Sequence, residues 1–345
     1  MKRIPMERLI SFGVEFLRAR GVPAEKARFV SELIVETEAF RQSTHGVVQF
    51  RSLHGALGRG MDPAAEPRVV AESGALAVID ANGSLPILAM KAARDRAIPM
   101  AREQGSASVL VRNSGWIAAL SPHAAAVARE GLLCFAWAQS SSCEDCAPFG
   151  GIDPCFSTNP VAFAFPTAGD PVVADFSTST LSMGATSALA KRNQPTETPR
   201  FLDGNGAPTC DPSVVKNGGT LMFAGGETEG YKGYAMSLFN EALSVMAGGS
   251  ANNPEAPGSQ NFGLTALDPE HGAGRDYFVK EMKRFMARVR ASRPRAGVEK
   301  IRLPGERGFA ALAECRAHGV PLDDEKIEML NGIAADCGVA PISGE

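Results

Sequence analysis

Apolar residues fall at helical spacing through about residue 60: Leu9, Phe12, Phe16 and Leu17 share one face, and after Pro23 a second run carries Phe29, Leu33, Ile34 and Phe40. A Pro/Gly-rich break from Gly58 to Pro67 follows, and then the period changes. Ala75 to Ile79 reads as a short strand closed by the turn Asp80-Ala81-Asn82-Gly83. The pattern next predicts a helix over Ile87–Gln104, a strand over Ser108–Val111, a helix over Ala118–Glu130, and strands at Leu132–Ala138, Pro160–Phe165 and Val172–Asp175. Gly184 to Gly230 reads as loop-rich, with successive turn signals across Leu202–Pro212. Beyond it come a helix from Tyr234 to about Ala247, a polar loop, a strand near Leu264–Leu267, a basic helix over Tyr277–Arg290 and closing helices near Phe309–His318 and Glu325–Cys337.

Helices and strands alternate at intervals too long for hairpins, which predicts a mixed α/β fold with crossover connections. The expected division is a helical layer built from residues 1–70 and 300–345 around a central α/β region, 71–299, that binds cofactor and substrate. With 44% hydrophobic residues, disorder and fibrous repeats are excluded. A formal charge of −3 without like-charge blocks gives no sign of a nucleic-acid or membrane partner. The apolar runs are far shorter than the ~20 residues that cross a bilayer, and Met1 to Arg8 lacks the apolar core of a secretory leader. A soluble, cytoplasmic protein is expected. Seven cysteines form no dense even framework. The pair Cys143/Cys146 has C-x-x-C spacing but no second metal-binding half, so it reads as a cysteine-containing loop, with a zinc or thiol-redox site as the rival and no metal expected.

The chain contains no G-x-G-x-x-G, phosphate-binding P-loop, H-E-x-x-H or G-x-S-x-G motif, so a bound dinucleotide would have to be held without the usual glycine fingerprint. His45, in Ser43-Thr44-His45-Gly46, sits at a small-residue break between helical runs, where an imidazole can reach a cleft and exchange a proton near pH 7. Spacing alone equally permits a histidine in a helix-joining turn. Asp175 follows an apolar strand, where a carboxylate needs a partner: it could fix the His45 tautomer, bond a ribose, or simply end the strand.

Six motifs occur in order: Ser43-Thr44-His45-Gly46, Val111-Arg112-Asn113-Ser114, Ser157-Thr158-Asn159-Pro160 with Ala162-Phe163-Ala164, Ala174-Asp175-Phe176-Ser177, Gly230-Tyr231-Lys232-Gly233 and Arg302-Leu303-Pro304-Gly305-Glu306. Together, over residues 5–337, they resemble the malate/L-lactate dehydrogenase-2 family, which includes ureidoglycolate dehydrogenase, 2,3-diketo-L-gulonate reductase and piperideine/pyrroline-2-carboxylate reductase. The resemblance implies an oxidoreductase using NAD or NADP on a non-Rossmann fold, and a homodimer with the active site near the subunit contact. It implies His45 as general acid/base with Asp175 beside it. It assigns dinucleotide contacts to Ser140, to Val173, Ala174, Asp175, Phe176 and Ser177, to Tyr231 and Lys232, and to Gly305, Glu306 and Arg307. Gln49, Arg51, Trp116 and Thr158 fall at its substrate side.

The departures from the family pattern bear on substrate. Trp116 stands where many relatives carry a histidine, and indole cannot act as a base; His123, seven residues on, is the one nearby imidazole that could substitute. Gln49 stands where relatives commonly have an arginine for a substrate carboxylate, and Arg51 lies about 200° round the helix from it. Glu144 and Asp145, in the loop Ser140–Phe149, would repel an anion if they faced the cleft. The reading is hydride transfer at the carbon next to a small-molecule carboxylate, on a 2-oxo or 2-hydroxy acid or on a cyclic imino acid, with a catalytically silent dinucleotide-binding protein as the rival of another class. Neither an acidic fingerprint residue nor a basic cluster decides between NAD and NADP.

Overall fold

The computed structural model describes residues 1–253, 255 and 259–342; part of the polar loop expected after residue 247, and the last three residues of the expected helical layer, lie outside them. Strand β1 (Lys2–Ile4) leads into α1 (Met6–Ala19), α2 (Ala24–Ala39) and α3 (Val48–Ala56). Proline at the residue before α1 and before α2, with φ of −52° and −56°, presets the backbone for each helix start, and Leu9, Phe12 and Phe16 form the buried stripe of α1. There follow β2 (Arg68–Ser73), β3 (Leu76–Asp80), α4 (Pro86–Gln104), β4 (Ser106–Ser114), α5 (Ser121–Arg129), β5 (Leu133–Ser140), β6 (Val161–Phe165) and β7 (Val172–Phe176).

The loop-rich stretch holds α6 (Met183–Lys191), a small sheet of β8 (Phe201–Leu202), β9 (Pro208–Thr209) and β10 (Thr220–Leu221), and the single turn α7 (Gly226–Glu229). Then come α8 (Tyr231–Met246), β11 (Gln260–Leu267), α9 (Arg275–Arg290), α10 (Glu306–His318), β12 (Val320–Leu322) and α11 (Asp324–Cys337). Helix α8 starts at Tyr231 rather than Tyr234, so Lys232 lies within its first turn.

The fold is mixed α/β around a mixed seven-stranded sheet of order β2-β3-β4-β11-β5-β6-β7, in which β3 and β4 are parallel and the other neighbours antiparallel. Period-2 alternation splits the sheet's side chains between its faces. Val109, Val111, Ala136, Ala162 and Phe262 join α4, α5 and the terminal helices in one continuous core. Leu110, Trp137 and Val161 point the other way, against Met236 and Leu243 of α8. That second face is covered only in part. Phe135, Phe163 and Phe176 run across β5, β6 and β7 with ring centroids 5.2 and 6.1 Å apart, and Phe163 and Phe176 remain 41% and 44% exposed. The chain ends meet: β1 pairs antiparallel with β12, and Phe40 after α2 stacks edge-on against Phe309 of α10 at 4.9 Å. Among the described residues no helix is long and apolar enough to cross a membrane.

Candidate active site

The turn between α2 and α3 carries His45, and three contacts fix it. Glu38, at the end of α2, is buried; its Oε2 accepts from the Val47 N–H at 3.0 Å, and its Oε1 accepts from the Lys326 ammonium of α11. The same ammonium donates to the Ser43 carbonyl at 3.0 Å. At Gly46 a Cβ would lie 2.3 Å from Glu38 Oε2 and 2.7 Å from Glu38 Cα, so only glycine lets the turn settle onto α2. Burial raises the Glu38 pKa, and the Lys326 charge offsets part of that rise.

Held this way, His45 lines a cavity of about 420 Å³ with Thr44, Thr158, Ser177 and Ser182. Its Nδ1 lies 2.7 Å from Thr44 Oγ1, and its ring sits 5.6 Å from Trp116. Desolvation holds the imidazole below the ordinary histidine value, while the charge of Asp175 pulls it upward. The ring is therefore mainly neutral at pH 7, with a carboxylate near enough to steady its protonated form.

A second cavity, about 700 Å³, adjoins the first and shares Arg41, Gln42, Asp175 and Phe176 with it. Its wall is the end of β7 (Val173 to Phe176) and the segment from Lys300 to Gly308, including Arg302, Gly305 and Arg307. Val173 N–H donates to the Pro304 carbonyl at 3.3 Å, and a Cβ on Gly305, whose φ is 90°, would come within 3.2 Å of the Val173 backbone. The two walls are thus pressed together by a glycine. Two non-glycine residues with left-handed backbone, Arg41 (φ 69°) and Ala118 (φ 64°), line this double cavity; such conformations cost of order 1 kcal/mol and collect at functional clefts.

Several expected contributors make contacts that the sequence reading did not include. Asp175 Oδ2 accepts from Gln42 Nε2 at 3.1 Å and from the Leu120 and Ser121 N–H groups at 3.0 and 2.8 Å, so it caps the start of α5 and acts on His45 through its charge. Gln49 is buried, donates to the Trp116 and Ile117 carbonyls at 3.3 and 3.4 Å as a brace for the Trp116 segment, and lines neither cavity. Arg51 is exposed on α3 and lines neither cavity. Ser140 Oγ accepts from Gln260 Nε2 at 2.8 Å, tying β5 to β11 away from the cleft. Tyr231 and Lys232 also lie outside it: the Lys232 ammonium pairs with Glu229 and lies over the Tyr231 ring. The start of α8 is nonetheless close by, since a Cβ on Gly233 would meet the Thr178 carbonyl at 2.4 Å.

Glu306 faces Arg290, whose Nε and Nη2 donate to its Oε1 at 2.9 and 2.6 Å, and its Oε2 accepts from the Leu303 N–H. It is a helix-start brace rather than a free ligand. Glu144 and Asp145 line neither cavity; Asp145 is mostly buried and pushed up to about 6 by desolvation. His123 is fully buried in α5 with both ring nitrogens unpartnered among the described residues, and desolvation pushes it down to about 3, so it cannot replace the histidine missing at Trp116. Cys146 is buried beside Phe156 and Phe201 while Cys143 is exposed. Residues to which sequence reasoning gave no role are Arg41, Gln42, Lys300 and Arg302 in the cleft, and Glu38 and Lys326 beneath it. Of these only Arg302 falls within one of the six motifs, and Lys326 meets Glu38 across 288 positions.

The family model for malate/L-lactate dehydrogenase matches residues 4–331. The chain belongs to that family. It is 29% identical to a malate dehydrogenase of Pyrococcus horikoshii over 98% of this chain and 96% of the relative, and the solved structure of that enzyme superposes with a TM-score of 0.88, covering 99% of this chain and 97% of the other. A pyrroline/piperideine-2-carboxylate reductase of Pseudomonas syringae pv. tomato is 30% identical, with 91% of each chain covered. The structure of a sulfolactate dehydrogenase from Methanocaldococcus jannaschii matches with a TM-score of 0.87 at 25% identity, covering 98% of both chains. As a member of the malate/L-lactate dehydrogenase family the protein is an oxidoreductase, and the conserved architecture of the family accounts for the mixed sheet and the terminal helices described above.

Proposed function

We propose that the protein is an NAD(P)-dependent oxidoreductase that transfers a hydride to or from the carbon next to a carboxylate, on a 2-oxo or 2-hydroxy acid, with His45 moving the accompanying proton. The observation that carries this reading is the double cavity: a desolvated imidazole at one end and a cation-lined wall at the other. Four cationic side chains, Arg41, Lys300, Arg302 and Arg307, line the larger cavity against the single carboxylate of Asp175, and Arg41, which lines both cavities, is placed to meet a diphosphate. Val173, Ala174 and Phe176 offer backbone and ring surface beside it, and Ser177 adds a hydroxyl in the smaller cavity. The binding mode is proposed to lie outside a Rossmann fold. When bound, the nicotinamide supplies or accepts the hydride.

The rest falls to this chain's residues. Neutral His45 Nε2 takes the hydroxyl proton as a 2-hydroxy acid is oxidised, and the protonated ring returns it in the reverse direction. Thr44 at Nδ1 orients the ring, and the Asp175 charge stabilises the imidazolium. Thr158 lines the same cavity and is proposed to meet substrate oxygen atoms there. A cyclic imino acid is the second reading, favoured by the Trp116 indole beside His45 and by the commitment of Gln49 to backbone carbonyls. We place the protein in the cytoplasm as a homodimer. The exposed Phe163 and Phe176, with Leu238, Phe239, Val245 and Met246 of α8, give a broad apolar surface for a second copy. Because Phe176 also lines the cleft, that contact would close over the active site.

The test is His45→Ala with NADH and NADPH and a panel of 2-oxo acids and cyclic imino acids. Turnover should fall by about 10²-fold or more with cofactor Kd unchanged. Equal loss of binding and turnover would make His45 structural, and saturable dinucleotide binding with no turnover of any substrate by the native protein would mark a silent homologue.

A further inference from the structure

We infer that the larger cavity selects a dinucleotide carrying a phosphate monoester on its adenosine ribose, NADP(H) rather than NAD(H), and that Lys300, Arg302 and Arg307 recognise that extra phosphate. The inference rests on the dinucleotide reading above and concerns the end of the cleft remote from His45. Arg41 lines both cavities and stands at their junction, where the diphosphate of a cofactor with its nicotinamide at His45 would pass. Lys300, Arg302 and Arg307 line only the larger cavity, beyond that junction, so the cations outlast the charge that a plain diphosphate would bring.

Their own partners leave them available. Lys300 and Arg307 make no ion pair within the described residues, and Arg302 makes one weak pair, at 3.5 Å, with Glu299, whose side chain is 83% exposed. An exposed pair of that kind contributes little and yields readily to a dianion.

Selection for an unphosphorylated ribose requires the opposite chemistry, a carboxylate free to accept from the 2′-hydroxyl. Besides the exposed Glu299, Asp175 and Glu306 flank the wall, and each already accepts hydrogen bonds from this chain. Asp175 holds Gln42 and the first N–H groups of α5, and Glu306 is taken by Arg290 and the Leu303 N–H. The wall therefore offers three cationic side chains to a phosphate, against the one lining carboxylate of Asp175, whose Oδ2 is already taken up by Gln42 and the start of α5.

The experiment is calorimetric and independent of turnover: Kd of the native protein for NADPH, NADH, 2′,5′-ADP and 5′-AMP, and of Lys300→Ala and Arg307→Ala, whose exposed side chains leave the core untouched. NADPH is expected to bind at least about tenfold more tightly than NADH, and 2′,5′-ADP more tightly than 5′-AMP by a similar factor, as suits charge-assisted bonds to a phosphate. Each variant should lose about fivefold or more in affinity for NADPH and 2′,5′-ADP while NADH stays within about twofold. NADH binding as tightly as NADPH, or variants that weaken both alike, would overturn the inference and leave the dinucleotide reading standing. Failure of all four ligands to bind would remove that reading and the inference with it.

Discussion

Removing the Lys326 ammonium should unseat the His45 turn from a point 288 positions along the chain from Glu38. In the native protein Glu38 and Lys326 side chains are 4% and 14% exposed and paired, and the ammonium also holds the Ser43 carbonyl. Lys326→Ala leaves the Glu38 carboxylate buried with the Val47 N–H as its remaining donor, and breaking a buried pair in this way costs about 3–5 kcal/mol. The cost should depend on pH in a defined direction. Burial already raises the Glu38 pKa against the pull of Lys326, so the variant raises it further. The folded variant then binds a proton that the unfolded chain, with an ordinary glutamate, releases. Its stability deficit is therefore largest near pH 8 and shrinks as pH falls toward the glutamate range. Urea unfolding at pH 8 and pH 5.5 measures both quantities, and Glu38→Gln/Lys326→Met separates charge from packing. The double variant should be much more stable than the sum of the single losses predicts. A deficit below about 1 kcal/mol, or one that is indifferent to pH and to Glu38→Gln, would refute the anchoring role.

Other changes have equally direct readouts. His123→Leu removes two unpartnered buried ring nitrogens and should stabilise the protein by roughly 1–3 kcal/mol, measured by the urea midpoint at constant m-value. Asp175→Ala deletes the cap of α5, at about 1–2 kcal/mol, and removes the charge that raises the His45 pKa; the acidic limb of the pH profile for hydroxy-acid oxidation should move to lower pH. In the native protein that limb should lie below pH 6.5, because burial depresses the imidazole and the base form persists into mild acid. Gly46→Ala would place a methyl group against Glu38 Cα and should reduce turnover even in folded preparations, read as kcat at saturating cofactor.

Periodic elements could be read from the chain because burial alone dictates them: the Leu9–Phe12–Phe16 stripe and the sheet strands Val109–Val111 and Ala136–Ala138 have no other stable placement. Elements with little to bury gave no such signal. β2 is exposed along its whole length, and α6 buries only Thr186, so its start shows mainly in the Ser182 cap. His45 was recognisable because its turn is local. The hydrogen bonds of Asp175 and Gln49 could not be read because their partners, Ser121 and Ile117, lie far along the chain and donate or accept through backbone atoms that carry no residue identity. Of the cationic wall only Arg307 was assigned from sequence, for a related reason: Arg41 and the segment from Lys300 to Arg307 become neighbours only when distant parts of the chain pack together.

The pairing of β1 with β12, and of Glu38 with Lys326, has a consequence for biosynthesis. Until a ribosome has made residue 326, the turn that holds His45 has its local tie from Val47 to Glu38 but lacks the Lys326 ammonium that secures both Glu38 and the Ser43 carbonyl. A nascent chain can assemble its sheet first, yet the His45 turn is fully anchored only once α11 has docked, and products lacking α11 would carry every residue that lines the two cavities without that anchor.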